Sequence, residues 1–118
     1  YPDDKIAKEL LSLFHSSIQP FLINSMQYNP QQLAANFTKP MLVVCGGNDI
    51  QVSVDNGEVI AKSAPNAELR VFENMTHVLK DWASNDRIEQ LVNVYVNSHM
   101  PLSESLVSDI SQFIKTAK

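Results

Sequence analysis

The first third of the chain carries apolar residues at helical spacing. One set lies in residues 6–14 and a second in residues 18–26. Asn29 precedes Pro30, a pair that favours a helix over residues 30–36, because asparagine caps helices and proline is tolerated in their first turn. The pattern therefore predicts short helices up to residue 36, the first of them capped by Asp3 or Asp4.

The middle of the chain contains two short runs that are typical of β-strands. Residues 41–45 are apolar throughout, as in a strand covered on both faces, and a second strand is predicted at residues 69–72. Between them, Ser53 can cap a helix that continues to Ala64. A strand, a helix and a strand in this order predict two parallel strands whose carboxyl ends share one edge of a sheet.

The last third gives a mixed signal followed by a clear one. Residues 86–91 favour a helix, whereas Val92, Val94 and Val96 alternate as in a strand, so the stretch from 82 to 100 is assigned no regular element. Helical spacing returns after Ser103, the predicted cap, and continues to Lys118. We expect this helix to pack on the sheet, and we assign the chain to the α/β class.

Composition narrows the possible partners. The 118 residues, 44% of them hydrophobic, suit one domain with a modest core. A net charge of −4 with scattered lysines and arginines argues against nucleic acid and an anionic membrane surface as partners. No apolar run is long enough to predict a membrane span. We therefore expect neither a nucleic acid nor a membrane partner.

The start of the chain and its single cysteine add little about location. The chain begins at Tyr1 without an initiator methionine or the features of a signal peptide, so we expect a truncated start that could have removed one. Cys45 has no partner for an internal disulfide, and its place at the end of an apolar run predicts a small buried hydrophobe. Neither feature predicts a compartment.

An acid and a base follow the two predicted strands. Asp49 lies just beyond the first strand and His77 just beyond the second. A carboxylate beside an imidazole holds the ring in one tautomer and stabilises the imidazolium that forms on proton uptake. Because parallel neighbouring strands end at the same edge, we expect Asp49 and His77 to meet there as a catalytic pair. Asp55 is the alternative acid, although its place in the first turn of a helix suits the helix dipole better.

A nucleophile to complete such a pair is not evident. The chain has three glycines, Gly46, Gly47 and Gly57, and no Gly-x-Ser-x-Gly or Gly-x-Cys-x-Gly motif. Ser16 and Ser17 have no flanking glycines, so we interpret them as helix caps. We interpret Cys45 as inert packing rather than as a nucleophile. His15, His77 and His99 lack the spacing of metal ligands on one helix, so no zinc site is predicted.

Four segments carry a resemblance to a known family. They are PMLVV at residues 40–44, GGNDIQV at 46–52, PNAEL at 65–69 and NMTHVLK at 74–80. Together they resemble the carboxyl-terminal half of α/β-hydrolase-fold serine hydrolases, especially bacterial serine-aminopeptidase-like members, and the resemblance covers nearly all of the chain. Residues 13–30 resemble the short helical cap insertion that precedes the acid strand in those proteins.

The resemblance implies a partial α/β-hydrolase fold, with two or so parallel strands, flanking helices and a cap remnant that roofs the active site. Residues 1–36 would be the cap remnant and a connecting helix, and residues 37–118 the carboxyl-terminal part of the core. Asp49 would be the triad acid and His77 the triad base, with Gly46 and Gly47 allowing a sharp turn before the acid.

The same resemblance implies hydrolysis of a small-molecule ester or amide without a cofactor. The serine and the oxyanion-hole amide would belong to a missing amino-terminal half, so we expect the chain alone to be inactive. The family commonly has glycine at the position of Asn74 and asparagine at that of Thr76, and Asn74 can adopt the left-handed conformation that such a turn needs.

A second interpretation of the chain, from a different functional class than hydrolases, stays open. In it the chain is a non-catalytic binding module whose exposed sheet edge pairs with a second copy, forming a homo-oligomer, or with a missing half.

Overall fold

A computed structural model describes residues 1–117 and shows a mixed helical and stranded chain. The strands are β1 (Met41–Gly46) and β2 (Ala67–Phe72). The helices are α1 (Leu11–Phe14), α2 (Gln19–Met26), α3 (Pro30–Ala35), α4 (Val54–Ser63), α5 (Arg87–Gln90) and α6 (Leu106–Thr116), with 3₁₀ turns at Asp3–Lys5 and Lys8–Leu10 and a π-helical turn at Leu91–Tyr95. Within residues 1–117, no helix combines the length and the apolar character that crossing a bilayer requires.

The two strands form a parallel pair, as the strand-helix-strand order predicts. Met41 lies opposite Ala67, and Gly46 lies opposite Phe72 at the carboxyl ends. Helix α4 connects the strands and packs against both of them. The loops after β1 and β2 therefore emerge side by side at one edge of the sheet.

Close contact between α4 and β1 depends on Gly57. A Cβ atom added to Gly57 would collide with Cys45 Sγ and would lie 3.4 Å from Val43 Cγ1. The lack of a side chain thus lets the helix approach the strand. Glycine inside a helix is costly for chain entropy, and here packing on the strand offsets that cost.

The amino-terminal helices are shorter than predicted. Residues 6–14 form a 3₁₀ turn and the one-turn helix α1 instead of a single capped helix. Asp3 does not cap that helix, because its carboxylate accepts hydrogen bonds from Ser16 N at 2.7 Å and Ser16 Oγ at 3.1 Å. The prediction for α3 is confirmed, since the Asn29 side chain accepts from Gln32 N at 3.1 Å.

Residues 87–95, in the middle of the stretch from 82 to 100 that sequence assigns no regular element, are helical. Asp86 Oδ1 accepts from Glu89 N at 2.8 Å and starts α5, which continues into the π-helical turn. Val94 is fully buried while Val92 and Val96 are exposed. Residues two apart point to nearly opposite sides of a helix. Val94 can therefore face the core while Val92 and Val96 face solvent, which produces the alternation without a strand. The strand alternative is wrong.

The last helix begins later than predicted. Ser103 is buried, its amide donates to Leu79 O at 2.8 Å and its carbonyl accepts from Leu106 N at 3.2 Å. Ser105, rather than Ser103, is the residue directly before α6, which starts at Leu106. Helix α6 lies beside the sheet, with Leu42 of β1 and Phe113 of α6 among the residues that line a cleft of about 300 Å³ between them. Within α6, one residue, Leu106, is buried. The helix therefore packs loosely on the sheet.

Candidate active site

The acid loop after β1 holds the Asp49 carboxylate in a fixed position. Oδ1 accepts hydrogen bonds from the amides of Gln51 at 2.8 Å and Val52 at 2.9 Å. An aspartate that bonds the backbone two and three residues ahead closes a tight turn around itself. The side chain is 11% exposed, so the carboxylate is largely removed from water.

Gly46 and Gly47 act by permitting close approach. The chain turns at residues 47–48 as expected, with the Asp49 amide donating to Gly46 O at 3.4 Å, although neither glycine has a positive φ. A Cβ atom at Gly46 would collide with the Met75 carbonyl, and one at Gly47 would collide with the Glu73 carbonyl. The two glycines therefore let the acid loop lie directly against the segment that leads to His77.

The base loop is a closed turn that projects His77. Met75 and Asp81 form an isolated antiparallel bridge, and Thr76 donates to Lys80 O from both its amide and its Oγ1, at 2.9 Å each. The turn needs a left-handed residue, and Leu79 fills that position with φ of 62°. Asn74 does not adopt that conformation, contrary to the expectation from sequence.

The structure brings the predicted acid and base together. His77 Nδ1 lies 2.9 Å from Asp49 Oδ2, a distance at which the ring N–H donates to the carboxylate. Within residues 1–117, His77 Nε2 makes no hydrogen bond. The His77 side chain is 40% exposed and lines a cleft of about 260 Å³ together with Asp49, Met75 and Leu79. The ring nitrogen opposite the acid is thus available to a reacting group.

The electrostatics keep Asp49 ionised. Burial raises the pKa of its carboxyl, but the amides of Val52 and Gln51 and the contact with His77 favour the charged form more strongly, so the net pKa lies below the usual value. At neutral pH the histidine therefore faces a negative charge. An ionised neighbour stabilises the imidazolium that forms when His77 takes up a proton.

The other candidates from sequence lie elsewhere. Burial, together with the negative charges of Asp49 and Glu58, raises the pKa of the Cys45 thiol, which disfavours the reactive thiolate. Asp55 lies in the first turn of α4, as its role at the helix dipole suggests. No residue of the helical segment 1–36 lines the cleft beside His77, so the expected roof does not cover it.

A second histidine near the chain start also contacts a serine and an acid. His15 Nε2 lies 3.2 Å from Asp3 Oδ2, and His15 Nδ1 lies 2.9 Å from Ser17 Oγ. The Ser17 amide also donates to the same Nδ1, at 3.2 Å, so the nitrogen that would activate the hydroxyl is already engaged. His15 and Ser17 are exposed and Asp3 is half-buried. This cluster ties the chain start to the turn before α2 and lacks a poised nucleophile.

Two residues near the pair were missed by sequence reasoning. Asn48 Nδ2 donates to Trp82 O at 2.6 Å, and Gln90 Nε2 donates to Asn48 O at 2.8 Å. Gln90 is fully buried. The position of Asn48 next to Asp49 was a usable signal, whereas nothing in the sequence sets Gln90 apart from a surface glutamine.

Within residues 1–117, no three histidine, cysteine, aspartate or glutamate side chains cluster in a way that could hold a metal ion.

In comparisons with known proteins, no family model, no curated protein and no solved structure matches the chain.

Proposed function

We propose that this chain supplies the acid and base of an α/β-hydrolase-fold serine hydrolase that cleaves ester or amide bonds. The observation that carries the proposal is the 2.9 Å contact between His77 Nδ1 and Asp49 Oδ2 at the carboxyl edge of two parallel strands. Ligands of open α/β sheets bind at this edge. The nucleophilic serine would come from a segment outside these 118 residues, so the chain alone is inactive.

In the proposed reaction His77 moves protons and Asp49 orients it. His77 Nε2 takes the proton of the serine hydroxyl as the oxygen attacks the carbonyl, and the proton then passes to the leaving alcohol or amine. A water molecule repeats the sequence on the acyl-enzyme and releases the acid. Asp49 holds the Nδ1–H tautomer throughout and stabilises the transient imidazolium.

The family resemblance supports this proposal because its segments coincide with the elements that build the pair. GGNDIQV spans the end of β1 and the acid loop, and NMTHVLK spans most of the base loop. The sequence likeness and the contact are separate observations. A turn-forming role for Asp49 would explain the first segment, and a structural role for His77 would explain the second. Neither role explains why the two side chains are in contact.

The exposed area supports a docking partner for this chain. The accessible surface is 8617 Å², whereas a monomer of 13.2 kDa is expected to expose about 6,400 Å². The radius of gyration is 17.7 Å, against about 13.5 Å for a compact chain of this length. The excess of about 2,200 Å² on one chain exceeds the roughly 800 Å² that each partner buries in a standard interface, and it is of the size that one partner buries in a large obligate interface.

The open side of β1 is where such a partner would add. Met41 N and Gly47 N both donate toward the β2 side, to Asn66 O and Phe72 O. Because bonding alternates along a parallel strand, the amides of Leu42 and Val44 face the opposite side, with which no strand of residues 1–117 pairs. A continuous apolar strand with one open side is suited to pairing with a further strand.

The proposal is tested by labelling with a fluorophosphonate, which reacts with activated serines. The probe is added to this chain and to the product of the complete open reading frame that encodes it. We expect the complete product to be labelled at a serine outside these 118 residues, and Asp49→Asn and His77→Ala to reduce labelling by at least about 10³-fold. Labelling of Ser17, or of any serine in this chain, would overturn the proposal.

The second candidate is a non-catalytic module that pairs through β1 with another copy. The unpaired β1 side and the exposed area favour it as well. Size exclusion over a range of concentrations separates the two proposals. A concentration-dependent dimer, combined with no labelling of the complete product, would favour the module, whereas a monomer at every concentration would exclude self-pairing.

A further inference from the structure

A buried side-chain amide lies behind the acid loop. Gln90, the last residue of α5, is 0% exposed. Its Nε2 donates to Asn48 O at 2.8 Å and to Ser84 O at 3.0 Å, while its Oε1 is buried without a hydrogen-bond partner in residues 1–117. A buried amide with an unpaired oxygen costs stability that an apolar side chain of similar size would avoid. Packing alone therefore does not account for a glutamine at this position.

The two carbonyls that Gln90 binds belong to the two sides of the candidate site. Asn48 directly precedes Asp49, and Ser84 follows the base loop. Asn48 links the same sides a second time, because its amide donates to Met75 O at 3.1 Å and its Nδ2 to Trp82 O at 2.6 Å. Gln90 and Asn48 thus form a continuous, partly buried connection from α5 through the acid loop to both ends of the base loop.

We propose that Gln90 is a positioning residue that acts through Asn48 to hold the Asp49 carboxylate at hydrogen-bond distance from His77. Its relevance to catalysis rests on the proposed function, but its effect on the contact does not. A contact of 2.9 Å weakens steeply when either partner moves by half an ångström or rotates. Asp49 lies on a loop rather than in a regular element, so its carboxylate depends on such support.

The imidazole tautomer reports this contact directly. Neutral imidazole in water favours the Nε2–H form, whereas donation to Asp49 requires the Nδ1–H form. A long-range ¹H–¹⁵N correlation spectrum distinguishes the two forms through the carbon-bound ring protons. It is recorded on the 118-residue chain at a pH where His77 is neutral. A substitution that only lowers stability reduces the fraction of folded molecules. The molecules that stay folded keep the wild-type tautomer.

Three substitutions separate positioning from stability. Gln90→Met keeps the size of the side chain and removes both donated bonds, and Asn48→Ala removes the bond to Trp82 O. Val94→Ala is the matched control, since Val94 is also fully buried four residues further on and its side chain has no hydrogen bond to the acid loop. Circular dichroism and urea titration establish the folded fraction of each variant.

We expect wild type and Val94→Ala to show mainly the Nδ1–H form, and folded Gln90→Met and Asn48→Ala to lose most of it to Nε2–H. The proposal is overturned if folded Gln90→Met keeps the Nδ1–H form, if folded Val94→Ala loses it, or if wild type lacks it. Should Gln90→Met not fold, Asn48→Ala decides by the same criterion. A complete product without hydrolase activity would contradict the proposed function and leave this spectrum unchanged.

Discussion

The Asp49 carboxylate uses both of its oxygens. One accepts from two loop amides and the other faces His77. An asparagine at this position keeps an oxygen for the loop amides but loses the charge opposite the ring. The residue therefore combines a structural and an electrostatic task, and Asp49→Asn separates them.

The lowered pKa of Asp49 predicts a specific pH dependence of stability. A carboxyl whose pKa is lower in the folded state stabilises the fold above its unfolded pKa, near 4, and loses that contribution as pH falls through the folded pKa. We expect the free energy of unfolding in urea to be higher for wild type than for Asp49→Asn at pH 6. We expect this advantage of the wild type to shrink below about pH 4. A difference that grows toward acid pH would contradict the assignment.

Cys45 offers a second test among single residues. Burial and nearby negative charge raise the pKa of its thiol, so we expect its reaction with an aromatic disulfide reagent at pH 8 to be slower in the folded chain than in urea. Equal rates in the two states would show that the thiol is not protected by α4.

Glycines set how closely neighbouring elements pack. We expect Gly46→Ala to lower the free energy of unfolding by about 1–3 kcal/mol, because the new Cβ would collide with the Met75 carbonyl, a backbone atom that cannot rotate away. The effect is measured by urea unfolding. A neutral Gly46→Ala would show that the base loop can move away from β1 at little cost.

Gly57→Ala is the matched glycine substitution, because its new Cβ meets a side chain that can be removed. We expect it to destabilise the wild type through the clash with Cys45 Sγ and to stabilise the Cys45→Ala variant by up to about 1 kcal/mol through helix propensity. Equal effects of Gly57→Ala in both backgrounds would contradict the close packing of α4 on β1.

The sequence predicts those elements whose signals are local. The apolar run of β1, the spacing of α4 and the strand-helix-strand order predict a parallel pair and bring Asp49 and His77 to one edge. The left-handed Leu79 and the buried Gln90 could not be predicted, because leucine disfavours that conformation and glutamine usually stays in water. Both depend on contacts between loops that are distant in sequence.

On the scale of the whole molecule, the excess exposed surface and the open side of β1 lead to one expectation. In hydrogen exchange measured by NMR, the amides of Val43 and Cys45, on the β2 side, should be protected in this chain. The amides of Leu42 and Val44 should exchange faster here and become slow in the complete product, where a further strand pairs with β1. Unchanged exchange at Leu42 and Val44 would argue against strand addition.

The central claim is that Asp49 fixes the ring of His77 with Nδ1 protonated and Nε2 free. The most direct measurement is the ¹H–¹⁵N tautomer spectrum of His77 in the wild type and in Asp49→Asn. We expect Nδ1–H in the wild type and a shift toward Nε2–H in Asp49→Asn, because the amide removes the charge that selects the tautomer. Nε2–H in the wild type, or the same tautomer ratio in both proteins, would contradict the claim.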